Sequence, residues 1–382
     1  MRAWNERLVL SLVRARGALA KADLARATGL SAQTVSVIMR GLEQDGLLRK
    51  GAPVRGKVGQ PSVPMSLVPD GAFFFGLKIG RRSSELVLTD FLGTIIGRRT
   101  MMHHWPIPAQ ITRFAHTSID ALRASVGPKR CARVAGMGIA IPFQLWDWAP
   151  MIGAPEADMA EWRGYDIRAE LAALYDFPVF LENDASAACG AELVFGTTSA
   201  PRDFVYFYIG FFIGGGIVLN SSLYTGRTGN AGALGSMPIP ARNGETAQLI
   251  DLASIAVLER MLHAQGQSSE PIWAQPEFWT IDADILTAWI DSTGDALARA
   301  VAACISVIDF EAVLIDGWLP DAVRARIVAA TRRQLARLNL SGLEMPELHE
   351  GSFGAHARAL GAASLPLSER FLVDRNALLK AL

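Results

Sequence analysis

The sequence predicts an α/β protein in two parts: a small basic helical head with a β-wing, and a larger two-lobed α/β body. Three observations carry that prediction. A helix-turn-helix pattern fills the first 45 residues, a β-β-β-α-β-α-β order begins after residue 70, and charge is divided unevenly between the two parts. The chain has 382 residues, half of them hydrophobic, which suits two or three domains with a sizeable core. Its net charge is zero, yet residues 1–65 hold 11 Lys/Arg against four Asp/Glu. That segment is +7 and the remainder −7, the pattern of a nucleic-acid-binding head on an acidic body. A solvated basic face without a partner is the plainer alternative.

Asn5–Arg16 reads as a helix because Leu8, Val9, Leu12 and Val13 recur at helical spacing, and Gly17 ends it. Lys21–Thr28 is a second short helix, with Leu24, Ala25 and Ala27 inward and Gly29 as turn residue. Ser31 is a good N-cap for a third helix to about Gln44, on which Val35, Ile38, Met39 and Leu42 are apolar. Helix, short Gly turn, helix is the DNA-reading geometry. The third helix is expected to expose Ala32, Gln33, Thr34, Ser36 and Arg40. Gln can bond adenine, and Ser or Thr can contact bases or phosphates. Candidate major-groove residues are therefore Ser31, Gln33, Thr34, Ser36 and Arg40. Two short strands then flank a basic Gly/Pro-rich wing, in which Arg55, Lys57 and Gln60 are the candidates for a minor groove. A bundle with no DNA role, or a wing touching phosphates only, would read similarly.

The body opens with three predicted strands, Phe73–Ile79, Glu85–Thr89 and Thr94–Arg99, then a helix over Ile111–Ser125. A strand, Val134–Ile141, leads to Pro142, and Asp166–Leu174 is helical. The strand Pro178–Leu181 then runs into Glu182-Asn183-Asp184 and a helix. This order is that of an actin/sugar-kinase-like (ribonuclease H-like) lobe. Open α/β sheets bind ligands where a strand end feeds a helix start. Asn183 both donates and accepts, and ionised Asp184 accepts, which suits a ligand rich in hydroxyls. Asp184 as a simple N-cap is the alternative. A second lobe begins at Phe204–Ile209 and the run Gly214-Gly215-Gly216. Helices follow near 246–264, 284–308 and 320–339, with a strand Ala312–Ile315 ending at Asp316-Gly317. A small-residue tail helix is expected to return to the first lobe. The expected domains are 1–70, then 71–190 completed by 355–382, then 191–354.

Several function classes are excluded by composition. The longest apolar run, Phe204–Leu219, has 16 residues and four glycines, too short and broken for a membrane span of about 20. The N-terminus lacks the apolar core and cleavage site of a signal peptide. Cys131, Cys189 and Cys304 are far apart and form no CxxC, as expected of buried thiols in a reducing cytoplasm.

The chain resembles the ROK family (repressors, open reading frames, kinases), on the branch of its xylose- and N-acetylglucosamine-responsive repressors. "NERLVLSLVRARGALAKADLARATGLSAQTVSVIMRGLEQDGLL" and the RGxxGxP wing are similar to its repressor head. "VFLENDASAACGAELVFG", "IGFFIGGGIVLNSSLYTGRTGNAGALGSM" and "ALGAASL" are similar to its kinase-like body. The departures are as informative. Where family kinases carry an Asp-x-Gly-Gly-Thr phosphate loop, this chain reads Lys78-Ile79-Gly80-Arg81-Arg82. Where they carry Gly-Thr-Gly-Ile-Gly, it reads Gly210-Phe211-Phe212-Ile213-Gly214. The first change puts a cation in place of the acid associated with Mg²⁺, and the second puts aromatic bulk where a polyphosphate would lie. The family's cysteine-rich zinc motif is absent from residues 238–252, so no metal is expected. Its Glu-x-Gly-His reads Ala233-Leu234-Gly235-Ser236.

The resemblance implies a sugar-responsive DNA-binding regulator, a repressor of carbohydrate uptake or catabolism genes without kinase activity. The alternative it leaves is a sugar kinase with an added head, in which Asp184 would be the general base. Asn183, Asp184, Asp158 and Pro142 are the expected effector residues, with the effector between the lobes. The expected partners are a double-stranded DNA operator, a sugar or sugar-derived effector and a second copy of the chain, as homodimer or homotetramer. No cofactor and no membrane are expected.

Overall fold

The computed structural model describes residues 3–53, 62–196, 201–240 and 245–373. The head comprises α1 (Trp4–Arg16), α2 (Lys21–Thr28), α3 (Ala32–Gln44), β1 (Leu48–Lys50) and β2 (Met65–Leu67). There follow β3 (Phe73–Ile79), β4 (Ser83–Thr89), β5 (Ile95–Met102), α4 (Pro108–Val126), α5 (Pro128–Cys131) and β6 (Val134–Ile141). Next are α6 (Ala149–Ile152), α7 (Glu156–Ala160), α8 (Ile167–Ala172), β7 (Val179–Asn183) and α9 (Asp184–Phe195). A second sheet and its helices comprise β8 (Phe204–Ile209), β9 (Ile213–Leu219), β10 (Ser222–Leu223), β11 (Pro238–Pro240), β12 (Thr246–Gln248), α10 (Leu249–Ala253), α11 (Ile255–Ala264) and α12 (Glu270–Ala274). The chain continues through α13 (Ala283–Ile305), β13 (Ala312–Gly317), α14 (Asp321–Leu335), β14 (Glu347–Glu350) and α15 (Ala357–Phe371). It divides into two compact units, Met1–Ala187 with Ala359–Leu382, and Ala188–Arg358.

In the first unit the head helices bury Leu8, Val9, Leu12, Leu24, Val35 and Leu42 against one another. Gly29, at φ 68°, closes α2 with its N–H on Ala25 O, and the Ser31 side chain accepts the Thr34 N–H to start α3. Strands β1 and β2 pair antiparallel, Leu48 opposite Leu67, as expected at the base of a wing. The larger sheet has the order β5-β4-β3-β6-β7, antiparallel on the β5 side and parallel through β3, β6 and β7.

Among the strand bounds that differ from the sequence expectation, two extensions share one reason. Strand β7 runs on to Asn183, because Glu182 and Asn183 pair with Ala140 and Ile141 of β6. Strand β5 runs to Met102, which pairs with Ser83. Ladder hydrogen bonds to a neighbour override the local polar signal.

Helix α15 crosses the other face of this sheet very closely. A Cβ on Gly138 would lie 1.9 Å from Ala362 O, one on Gly76 2.3 Å from Ala359 O, and one on Gly136 2.5 Å from Pro366 Cβ. Glycines at these register positions let the helix backbone touch the strands.

The second unit holds the sheet β10-β9-β8-β13-β14, with β8, β13 and β14 parallel. Its core includes Trp289, Leu297, Val301, Val313 and Ile327. The helix expected over 246–264 begins as β12, paired with β11, and is broken at Ser254. Ser254 is extended, and its hydroxyl accepts the Ile213 N–H at 2.9 Å, which anchors the break to the β8–β9 hairpin. No helix of the described residues is long and apolar enough to cross a membrane.

Candidate DNA interface and effector site

Helix α3 presents Ala32, Gln33 and Arg40 to solvent, with Thr34 and Ser36 half-buried. Ser31 is held at its start, its hydroxyl 2.9 Å from Thr34 Oγ1, and Arg40 Nε reaches Ser36 O at 3.3 Å. The expected outward set is therefore corrected in part: Thr34 and Ser36 lie at the flank, and Val37 stands in the exposed row. At about 100° per residue Val37 lies about 40° from Gln33 and about 60° from Arg40, so the three share one exposed face. Arg55, Lys57 and Gln60 of the wing lie outside the described residues.

The head's charge is only partly turned outward. Arg7 Nε donates to Leu372 O at 2.6 Å, and Ser11 Oγ accepts the Val373 N–H at 2.9 Å. Arg14 donates to Phe91 O and lies over the Phe91 ring at 5.3 Å. Burial lowers this guanidinium to about 10, against the opposing attraction of Asp90. From the lobe, Arg133 donates to Gly71 O at 3.1 Å and to Asp45 O at 2.6 Å. Thus Arg7 and Arg14 bind the head to the first lobe, and the +7 of the segment overstates what DNA would meet.

The expected effector residues lie in the first unit. Asn183 ends β7 opposite Ile141, so Pro142 follows at the same carboxyl edge. The cap of α9 is Asn183, whose Oδ1 accepts the Ala185 and Ser186 N–H groups at 3.0 and 3.3 Å. Asp184 is the first helical residue, so the alternative reading of Asp184 as the N-cap is corrected. Asp158 accepts the Trp105 indole N–H at 2.8 Å. Trp162 is buried and donates to Pro106 O at 2.9 Å. Glu182 was not among the expected effector residues. Its Oε1 accepts the Asn183 N–H at 2.7 Å, and burial raises its carboxyl above the usual range, the Asn183 hydrogen bond opposing. Pairing with Ala140 of β6 makes Glu182 part of strand β7, where the sequence expectation had the strand end at Leu181.

In the second unit the β8–β9 turn is filled by its own side chains. Phe211 and Phe212 meet at 4.6 Å, and Phe211 lies 6.1 Å from Trp273, which lies 6.1 Å from Trp318. Gly210 O and Phe211 O accept the Ile255 and Ala256 N–H groups at 3.1 Å, so turn carbonyls cap the start of α11. A helix start is an anion site when its N–H groups are open to a ligand, and these two are engaged. At the end of β13 the buried Asp316 accepts from Tyr206 Oη at 3.0 Å and from the Gly354 N–H at 3.0 Å. Glu192 takes the Ser352 N–H at 3.0 Å and its hydroxyl at 2.5 Å. Burial raises both carboxyls. The amides of the 352–354 loop are thereby answered by the chain's own carboxylates.

A profile of the ROK family matches residues 74–369, and one of the MarR family matches residues 4–57. The chain belongs to the ROK family. The protein y4fQ of Sinorhizobium fredii is 26% identical over 96% of this chain and 91% of its own length. The xylose repressor of Bacillus spizizenii is 27% identical over 62% of this chain and 60% of its own length. Among solved structures, a ROK family transcriptional regulator described as a homolog of the E. coli MLC protein covers 99% of this chain at TM-score 0.70 and 20% identity. A ROK family glucokinase from Streptomyces griseus covers 77% at TM-score 0.58 and 20% identity. These likenesses establish the ROK body and its MarR-type head as folds.

Within this ROK body the β3–β4 turn gathers cations. Lys78 is buried, and its Nζ donates to Ser83 O at 3.1 Å and to Ser83 Oγ at 2.9 Å. Arg81 reaches Ile152 O at 3.3 Å, and His103 Nε2 lies 3.1 Å from Ser84 Oγ. Burial first, then the charge of Lys78, lowers the His103 imidazole to about 4. The folded value lies below the unfolded one of about 6.5. Stability from neutral His103 is therefore present above about pH 6.5 and lost as pH falls towards 4. The His103 ring resonances, followed by NMR, should titrate near pH 4, and H103Q should flatten the stability profile between pH 6.5 and 4. An imidazole titrating at 6.5 would overturn the assignment.

Proposed function

We propose that this ROK chain is a sugar-responsive transcriptional repressor of carbohydrate uptake or catabolism genes, without kinase activity. The observation that carries the reading is α3, capped at Ser31 and presenting Gln33 and Arg40 to solvent on a MarR-type head. Ser31, Gln33, Thr34, Ser36 and Arg40 meet the major groove, and Arg55, Lys57 and Gln60 of the wing meet the minor groove. Two heads of a homodimer or homotetramer bind paired half-sites, which is how helix-turn-helix proteins engage an operator. Regulation of transcription places its work in the cytoplasm.

The effector is a sugar or sugar derivative at the carboxyl edge of β6 and β7, contacted by Asn183, Asp184, Asp158 and Pro142. The Asn183 amide nitrogen can donate to a hydroxyl while its oxygen caps α9, and a carboxylate accepting one indole N–H keeps further acceptor capacity at Asp158. The effector changes DNA affinity through its differential affinity for two states of the protein. A thermal-shift screen with sugars, polyols and their phosphates identifies it, since a 100-fold excess over Kd adds about 2.7 kcal/mol. D184N should then weaken effector binding roughly ten- to hundredfold, because hydrogen bonds to a charged group contribute about 1.5–3 kcal/mol. The fold should persist, since the cap is Asn183. Unchanged affinity in D184N would remove Asp184 from the site.

The competing reading is a sugar kinase with an added head. The aromatic filling of the β8–β9 turn and the cation at Lys78 support the repressor instead. A coupled ATPase assay over the same sugars should give no turnover, and the purified protein should carry no stoichiometric zinc. Measurable phosphorylation of a sugar would overturn the non-enzyme reading.

A further inference from the structure

We infer that Val37 is a specificity-determining residue that reads the 5-methyl group of a thymine in the major groove, an inference resting on the DNA-binding reading above. Val37 is 57% exposed in the middle of α3, on a helix that buries Val35, Met39 and Leu42 on its opposite face. Its i−4 and i+3 neighbours are Gln33 and Arg40, both exposed, so the isopropyl group stands in the row that carries hydrogen-bonding side chains. Beside it is Gly41, where an added Cβ would meet nothing within 4 Å, so no other part of the described chain crowds this stretch of helix.

Folding alone gives no reason for valine at this position. A β-branched residue is a weaker helix former than alanine or lysine, and an exposed one gains nothing from burial. What valine does supply is a stiff apolar surface, because its χ1 is held to a single rotamer in a helix. The thymine methyl is the apolar group that base pairs display in the major groove, and small apolar side chains contact it there. The flanking charge fits the same occupant. Arg40 lies one turn further on and is exposed. A protein partner would instead require a wider apolar patch than one valine among polar residues.

The test uses the full-length protein. Duplexes are selected from a random-sequence pool, and each thymine of the selected site is replaced singly by deoxyuridine, which removes the methyl and keeps the base pair. Wild type should lose about fourfold in affinity at one thymine per half-site, the value of one buried methyl, and little elsewhere. V37A should bind the thymine and deoxyuridine duplexes within a factor of two at that position. Its melting temperature should not fall, since the residue is exposed and alanine favours the helix. Selected duplexes for which no thymine matters, or V37A discriminating as well as wild type, would overturn the assignment of Val37 alone. Recovery of no duplex from the pool would overturn the repressor reading and this inference with it.

Discussion

Raising salt from 50 to 200 mM should weaken binding of the full-length protein to a DNA duplex about a thousandfold. Three phosphate contacts from each of two heads neutralise six phosphates, which gives a log–log slope of about −5. Exposure and engagement separate the cations expected to take part from those that are not. Arg40 is exposed on α3, and Arg49 is exposed on β1. Arg7 and Arg14 are turned into the first lobe, onto Leu372 and Phe91. R40A removes one contact from each of the two heads and should therefore reduce the slope by about two. R14A should leave the slope unchanged and lower the melting temperature, because it removes a buried hydrogen bond and the stacking on Phe91. Fluorescence anisotropy across that salt range checks both. A flat response in wild type would rule out the head as a DNA reader, and a reduced slope in R14A would refute the docking role assigned to that side chain.

Replacing Gly138 by valine should cost the fold more than 3 kcal/mol, and the variant should express as unfolded or aggregated protein. Even a Cβ there would lie 1.9 Å from Ala362 O and 2.7 Å from Ala362 C, both backbone atoms of α15. A backbone cannot yield as a flexible side chain does, and overpacking a close contact costs about 1–3 kcal/mol before the two further methyls of valine are counted. The displaced helix also carries the contacts of Gly76 and Gly136, so the loss should spread along the whole strand–helix contact. Gly164 is the control. A Cβ at Gly164 meets nothing within 4 Å and its φ is not positive, so G164A should be neutral or slightly stabilising. Urea midpoints compare the two. Near-wild-type stability of G138V would show that α15 does not need close contact with β6.

The head and the order of the main strands of the first lobe were legible in the sequence because they rest on local rules. Apolar spacing, Gly29 and Ser31 are enough to draw α2, the turn and α3, since capping and periodicity act within one helical turn. The kinase departures at Lys78, Phe211 and Phe212 were legible too, because residue identity and side-chain bulk are read directly from the sequence. Other features required the tertiary structure. Whether Asn183 or Asp184 caps α9 depends on where β7 ends, and pairing with β6 decides that, not local composition. Which arginines face DNA depends on what packs beneath the head, and Leu372 lies 365 residues from Arg7 in the chain. The sequence alone thus determined the helices of the head and which phosphate-loop residues changed. Only the fold decided which polar groups are engaged, because hydrogen bonds and burial join residues whose separation along the chain carries no signal.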